Sequence, residues 1–142
     1  RTQQDDSGGF QCFVPYPFLE DNTRLPEARL ASADEVIRVI ALSRIMLDNI
    51  PHIKAYRMNI GDHLASIAIN SGADDIDGTV GHEEIMHVAG STTSVDYDRN
   101  KLARLIESSG QEPVKRDSTY SRFETIAPET ITESKALPVI GQ

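Results

Sequence analysis

The chain has 142 residues, 39% hydrophobic and 25% charged, the size and composition of one globular domain and not of a disordered or membrane-embedded chain. Fourteen Lys and Arg against 22 Asp and Glu give a net charge of −8, with the basic residues scattered, so no nucleic acid is expected as a partner. No apolar run approaches the roughly 18 to 20 residues that cross a bilayer, and no leader pattern precedes the first apolar segment, which predicts no membrane partner and a cytoplasmic location.

Cys12 is the single cysteine, which excludes an internal disulfide and a four-cysteine zinc site and reads as a small buried hydrophobe. The first residue is Arg1, and a strand pattern follows within ten residues without a cap, so the chain reads as part of a longer protein. Phe10 to Val14 is that strand, stopped by Pro15 and Pro17. A turn-rich loop spans Tyr16 to Ala31, and Ser32 with Glu35 forms a capping-box pattern for a helix from about Ala33. Its apolar residues, among them Val36, Val39, Ile40, Leu42, Ile45 and Met46, cover most of the circumference and predict a well-buried helix that ends before Pro51.

His52 to Asn59 reads as the second strand, with Gly61 opening the turn after it. Leu64, Ile67 and Ala68 mark a helix closed at Gly72. Asp75 to Val80 reads as a short strand and tight loop, Gly81 to Ala89 as a short helix closed by Gly90. Asp98 caps a further helix through Leu102, Leu105 and Ile106 that ends at Gly110, and Pro113 to Asp117 is a last extended piece. From Thr125 the tail is expected to be extended or mobile, which divides the chain into 1–124 and 125–142. Strands alternate with helices as in parallel βαβ units, so the fold class is α/β. A complete (β/α)₈ barrel needs roughly 250 residues, so about three βα units plus a C-terminal helix and short strand make a partial barrel.

Side-chain motifs alone carry little chemistry. His82 and His87 stand five apart, which turns them about 140° from each other on a helix, against the spacing of four that zinc helices use. Counting a calcium loop from Asp75 puts Val80 where the turning glycine belongs and Met86 where the bidentate carboxylate belongs. No nucleophile-elbow, phosphate-loop or dinucleotide fingerprint occurs. No metal site is expected in this chain.

An ordered series of longer motifs is more specific: RTQ and GGFQ within Arg1 to Gln11, the proline-rich segment Pro15 to Leu25, LDNIPHIKAY from Leu47, GADDIDGTVGHEEI from Gly72, Ala89-Gly90, and PVKRDSTY from Pro113 to Tyr120. This series resembles the aminodeoxyfutalosine synthase family, the radical S-adenosylmethionine enzymes of the futalosine route to menaquinone, and covers Arg1 to about Tyr120. The resemblance implies a TIM-type radical barrel holding a [4Fe-4S] cluster through a CxxxCxxC motif near the family's N-terminus. It also implies S-adenosylmethionine as source of a 5′-deoxyadenosyl radical that adds to a small-molecule substrate, 3-[(1-carboxyvinyl)oxy]benzoate. The CxxxCxxC motif is absent here, so this C-terminal part is expected to bind neither cluster nor cosubstrate alone and to be inactive. Two departures, Arg57 where the family pattern has an aromatic residue and Gly81-His82 in place of an acidic or apolar pair, keep cyclic dehypoxanthinyl futalosine synthase as the alternative. A stand-alone binding or assembly module is the alternative outside enzymes.

Barrel enzymes take ligand groups from the C-terminal ends of strands. On the resemblance, this singles out Tyr16, Arg57, Asn59, Asp77 and Thr79 for binding cosubstrate or substrate, with Gly78 allowing close approach before a helix N-terminus. Glu83, with Glu84, falls in that helix's first turn, where negative charge is favourable in any protein, and Asn22 and Thr23 are as easily explained by turn chemistry. The catalytic residues stay unassigned. Arg116 and Asp117 read as structural ion-pair residues, His52 and His63 as ordinary. Open strand edges and an uncovered apolar barrel face predict self-association.

Overall fold

The computed structural model describes residues 1–80 and 82–126. Alternation in a four-residue strand organises it. In β2 (His52–Ala55), Ile53 and Ala55 are fully buried while His52 and Lys54 are half-buried on the opposite face. On one side β2 pairs in parallel with β1 (Cys12–Phe13), Cys12 opposite His52. On the other it pairs in parallel with β3 (Asp75–Ile76), Lys54 opposite Asp75. The sheet order is therefore that of the sequence, and each connection runs through a helix. These are the α/β class and parallel βα units expected from the sequence.

The first connection contains α2 (Ala33–Met46), whose N-terminus carries the expected capping box: Ser32 Oγ accepts from the Glu35 N–H, and Glu35 Oε2 accepts from the Ser32 N–H. Val36 and Ile40 pack on Ile53, Ala55, Ala65, Ala68 and Ile76 to make the core. The expectation of a well-buried α2 is corrected here. Val39, Leu42, Ile45 and Met46 lie 46–70% exposed, because only one stripe of the helix meets the sheet and α3.

The second connection is α3 (Arg57–Ile69), broken at Gly61, where φ 80° and ψ 165° interrupt two helical pieces. The second strand thus stops at Ala55 and not at Asn59. The carboxylate of Asp77 accepts the Arg57 N–H and starts the helical turn there. Gly72 follows with φ 122°, and a Cβ there would lie 3.0 Å from Arg44 Cβ. This close approach lets Arg44 Nε donate to the Gly72 carbonyl at 2.8 Å.

After β3 the chain makes α4 (Ile85–Val88), a single turn shorter than the expected Gly81–Ala89, and Gly81 itself lies outside the described residues. Helix α5 (Arg99–Ser108) follows, capped by Asp98 as expected. Two elements had no sequence signal. A polar first helix, α1 (Thr2–Ser7), is held by Gln4, which bonds to both backbone groups of Phe10 and to the Asn49 carbonyl. The expected last extended piece is β4 (Val114–Arg116), and it pairs antiparallel with β5 (Phe123–Thr125) in a hairpin apart from the main sheet. Of the tail from 125, Thr125 and Ile126 are described; residues 127–142 lie outside the described residues.

The hairpin's turn hangs on Asp117, which accepts from the Ser121 N–H at 2.9 Å, Ser121 Oγ at 2.6 Å and Thr119 Oγ1 at 3.2 Å. These bonds hold its carboxyl down from 3.8 to about 2. A depressed carboxyl stabilises the fold above its unfolded pKa and loses that contribution as pH falls through the folded one. The turn is therefore expected to loosen as pH drops from about 4 to about 2. NMR amide exchange at Ser121 checks this, and a turn equally protected at both ends of that window would contradict it. Asp117→Asn should show a shallower dependence.

Candidate functional site

Register and alternation place Cys12, His52, Lys54 and Asp75 together on the sheet face away from the helices, while Phe13, Ile53, Ala55 and Ile76 face the core. Past the strand ends the same parity brings in Tyr56 and Asp77. A barrel interior is ordinarily filled by branched apolar side chains. This sheet face is ionic and aromatic, which suits a polar ligand.

At the N-terminal end of the strands a closed network forms the floor. Arg116 grips Asp75 with Nε at 2.9 Å and a terminal nitrogen at 2.8 Å, and Tyr120 donates to Asp75 Oδ2 at 2.7 Å. The Arg116 guanidinium lies 4.1 Å over the Tyr120 ring, which stacks on His52 at 4.3 Å. His52 Nδ1 also meets Asp74 at 2.9 Å, and Arg44 meets Asp74 at 2.6 Å, so His52 has partners that its sequence context did not suggest. Arg116 does form the expected structural ion pair, with Asp75. Burial raises the Asp75 carboxyl, but hydrogen bonds from Arg116 and Tyr120 and the charge of Lys54 overcome this and hold it below its ordinary value. Burial pushes the Cys12 thiol up.

At the C-terminal end lies the mouth. Tyr16 and Tyr56 meet with ring centroids 4.8 Å apart, and burial together with the charges of Asp77 and Glu83 raises both phenols. Asp77 is buried; Oδ1 holds the Arg57 N–H, while Oδ2 has no hydrogen-bond partner. Burial raises its carboxyl above the ordinary value. The buried Asn59 Oδ1 is likewise without a hydrogen-bond partner. Gly78 and Thr79 are exposed in the segment just beyond β3.

Arg57 ties the mouth together from behind. Its side chain is fully buried, donating to Asp62 Oδ1 at 2.9 Å and from two nitrogens to the Ser94 carbonyl at 3.1 Å, with Tyr97 stacked 4.3 Å away. Tyr97 in turn donates to Asp62 at 2.5 Å, and Ser91 Oγ donates to the Met58 carbonyl. The loop 91–97 is thus pinned to α3. Arg57 Nε is left 3.9 Å from Asp77 Oδ2, with no hydrogen bond.

Loop chemistry explains others of the expected residues. Asn22 donates to the Val88 carbonyl at 2.7 Å and Thr23 Oγ1 accepts from the Leu25 N–H at 3.1 Å, so the loop after β1 is fastened to α4. Glu83 caps α4 by accepting from the Met86 N–H at 2.9 Å, before the helix and not within its first turn. The strand-to-helix junction expected at Asp77 to Gly81 does not exist, since α4 begins at Ile85. The structure brings Tyr16, Arg57, Asp77 and Glu83 into one electrostatic neighbourhood. Lys54, Tyr56, Asp62 and Tyr97 were missed. The period-two pattern of HIKA could have flagged Lys54; the others depend on long-range contacts.

Removing the Arg57 charge while keeping its stem, as in Arg57→Met, is expected to cost about 3 kcal/mol, the size for breaking one partner of a buried ion pair. Urea denaturation of the chain measures it. A change below about 0.5 kcal/mol, typical of surface positions, would count against this reading of the hub.

Comparison with known proteins gives the same family as the motif series. The chain is 37% identical over 124 residues to the aminodeoxyfutalosine synthase of Thermus thermophilus, covering 84% of this chain and 33% of that protein. It is 37% identical over 125 residues to a 5-amino-6-(D-ribitylamino)uracil–L-tyrosine 4-hydroxyphenyl transferase of Methanoculleus marisnigri, 85% of this chain and 34% of that protein. It is 32% identical over 123 residues to the cyclic dehypoxanthine futalosine synthase of Streptomyces coelicolor, 87% of this chain and 30% of that protein. The chain spans about a third of the length of these relatives. Residues 7–129 match the model of the CofH/MqnC C-terminal region, and the chain belongs to that family.

Proposed function

We propose that this chain is the C-terminal part of a cytoplasmic aminodeoxyfutalosine synthase, and that its polar sheet face lines the cavity in which the radical reaction takes place. The observation carrying this is the row Cys12, His52, Lys54, Asp75 and Asp77 on the face where a structural barrel would bury branched side chains. The motif series and the aminodeoxyfutalosine synthases among the relatives support the choice of reaction. We further propose that the remainder of the polypeptide completes a TIM-type barrel. Among the described residues strand β3 has a partner on one side only, and beside it lies a cavity of about 790 Å³ lined by Ile76, Leu102, Ala103, Ile106, Val114 and Phe123, a slot suited to a further strand.

The iron–sulfur cluster does not fit this chain. Cys12 is its one cysteine, it sits at the start of β1 away from the mouth, and the described residues hold no group of three or more His, Cys, Asp or Glu arranged for a metal. The resemblance assigns the cluster motif to the preceding part of the family's proteins. No step of the reaction is therefore assigned to a metal here. Among the described residues no helix is long and apolar enough to cross a membrane.

What this chain's own residues do is bind and orient. Tyr16 and Tyr56 offer aromatic faces to a planar group, and the unpartnered Asp77 Oδ2 and Asn59 Oδ1 offer acceptors to hydroxyl groups. Gly78, Thr79 and Glu83 border the same opening, while Arg57, Asn22 and Thr23 hold its loops. The whole protein, assayed anaerobically with reconstituted cluster, S-adenosylmethionine and 3-[(1-carboxyvinyl)oxy]benzoate, should yield aminodeoxyfutalosine by mass spectrometry. Cyclisation of dehypoxanthine futalosine, or transfer of a hydroxyphenyl group from tyrosine, in its place would overturn the assignment.

The isolated chain should make no product and should self-associate, since the open edge of β3 and the bare stripe of α2 are both left to water. Light scattering over a concentration series checks the association, and a monomer throughout would refute it.

A further inference from the structure

On the polar face one cation, Lys54, makes an ion pair but no hydrogen bond among the described residues. Lys54 is 19% exposed, and its Nζ lies 3.4 Å from Asp75 Oδ2 without forming a hydrogen bond to any described residue. Asp75 is already engaged: both oxygens are gripped by Arg116, and Oδ2 accepts from Tyr120 as well. Two cations thus share one carboxylate, Asp75. The next carboxylate along the face, Asp77, is buried, holds the Arg57 N–H, and is shifted by burial toward its neutral form. A lysine whose task was to secure Asp75 would occupy one of its lone pairs; at Oδ2, the oxygen that Lys54 approaches, Arg116 and Tyr120 have taken both directions.

We infer that Lys54 is an anion-binding residue that receives the carboxylate of an organic acid seated on this face, with Arg116 and Tyr120 as positioning residues that keep Asp75 occupied. This rests on the reading that the face lines a ligand cavity. An ammonium with unused donors in a half-enclosed site forms charge-assisted hydrogen bonds to a carboxylate, and the Tyr16–Tyr56 pair at the mouth favours an acid with a planar group. The carboxylate has two possible sources, an aromatic acid or the amino-acid end of a cosubstrate.

The test uses the full-length protein and measures binding of benzoate, benzamide and L-methionine by ligand-observed NMR, without turnover. Wild type is expected to prefer benzoate over benzamide by about tenfold, within the range for a hydrogen bond to a charged group. Lys54→Met should abolish the preference and Lys54→Arg should keep it. A benzoate-to-benzamide ratio and an L-methionine affinity that are both unchanged in Lys54→Met overturn the inference. Should Lys54→Met fail to fold, Lys54→Gln provides the same comparison. If L-methionine binding responds to Lys54→Met and benzoate binding does not, the anchored carboxylate is that of the amino acid. A merely structural role would change overall binding or stability but not the ratio of acid to amide. Loss of aminodeoxyfutalosine formation in wild type with the preference intact would sink the proposed function and leave the role of Lys54 standing.

Discussion

Strands of two to four residues make few ladder hydrogen bonds, so this sheet is held by the side chains on one of its faces. Ile53, Ala55 and Ile76 face Val36, Ile40, Ala65 and Ala68, and that contact fixes both connecting helices at once. Each fully buried branched side chain contributes about 1.5 to 3 kcal/mol of transfer free energy. Because the helix-facing side supplies the apolar packing that holds the strands in place, the other side is free to carry groups that a core would exclude. Lys54 and Asp75 stand there because their neighbours in sequence, Ala55 and Ile76, have secured the backbone.

Two aspartates two residues apart illustrate how position sets chemistry. Asp75 and Asp77 share a face, and burial raises the carboxyl of each. At Asp75 the guanidinium and phenol of the hairpin reverse that effect; at Asp77 a backbone N–H and more distant charges do not. The floor is thereby ionised and closed, and the mouth keeps a carboxyl with a spare oxygen. The hairpin β4–β5 therefore does more than extend the chain, since it delivers Arg116 and Tyr120 to the strand starts and stacks a ring on His52.

Local signals with a strong mechanism were legible in the sequence. Ser32 and Glu35 announced the start of α2, Asp98 that of α5, and Pro15 and Pro51 marked where strand and helix stop. The alternation of strand and helix was enough for the α/β class. Signals that depend on distant partners were not legible. Arg57 to Asn59 reads as a continuing strand until the Asp77 carboxylate binds the Arg57 N–H. The hexapeptide of α1 has no apolar period and is ordered by Gln4 bonds to Phe10 and to Asn49, residues far apart in the chain. Val39, Leu42 and Ile45 look like core residues because hydrophobicity says that a side chain prefers cover, not whether cover is present.

The candidate site divides in the same way. Residue order alone put Tyr16 and Asp77 at strand ends and Glu83 in the first turn of a helix, and the motif series pointed to the family. Which of the polar residues act together came from the register of β1, β2 and β3, since pairing Cys12 with His52 and Lys54 with Asp75 aligns residues that lie 40 and 21 positions apart. The sequence by itself determined the helix caps, the chain breaks, the βα alternation and the family. The tertiary structure decided that Arg57 is a buried hub, that His52 is a stacked floor residue and that Lys54 stands beside Asp75 on the polar sheet face. Capping and period are short-range properties of the chain, whereas charge pairing and burial exist only once strands distant in sequence lie side by side.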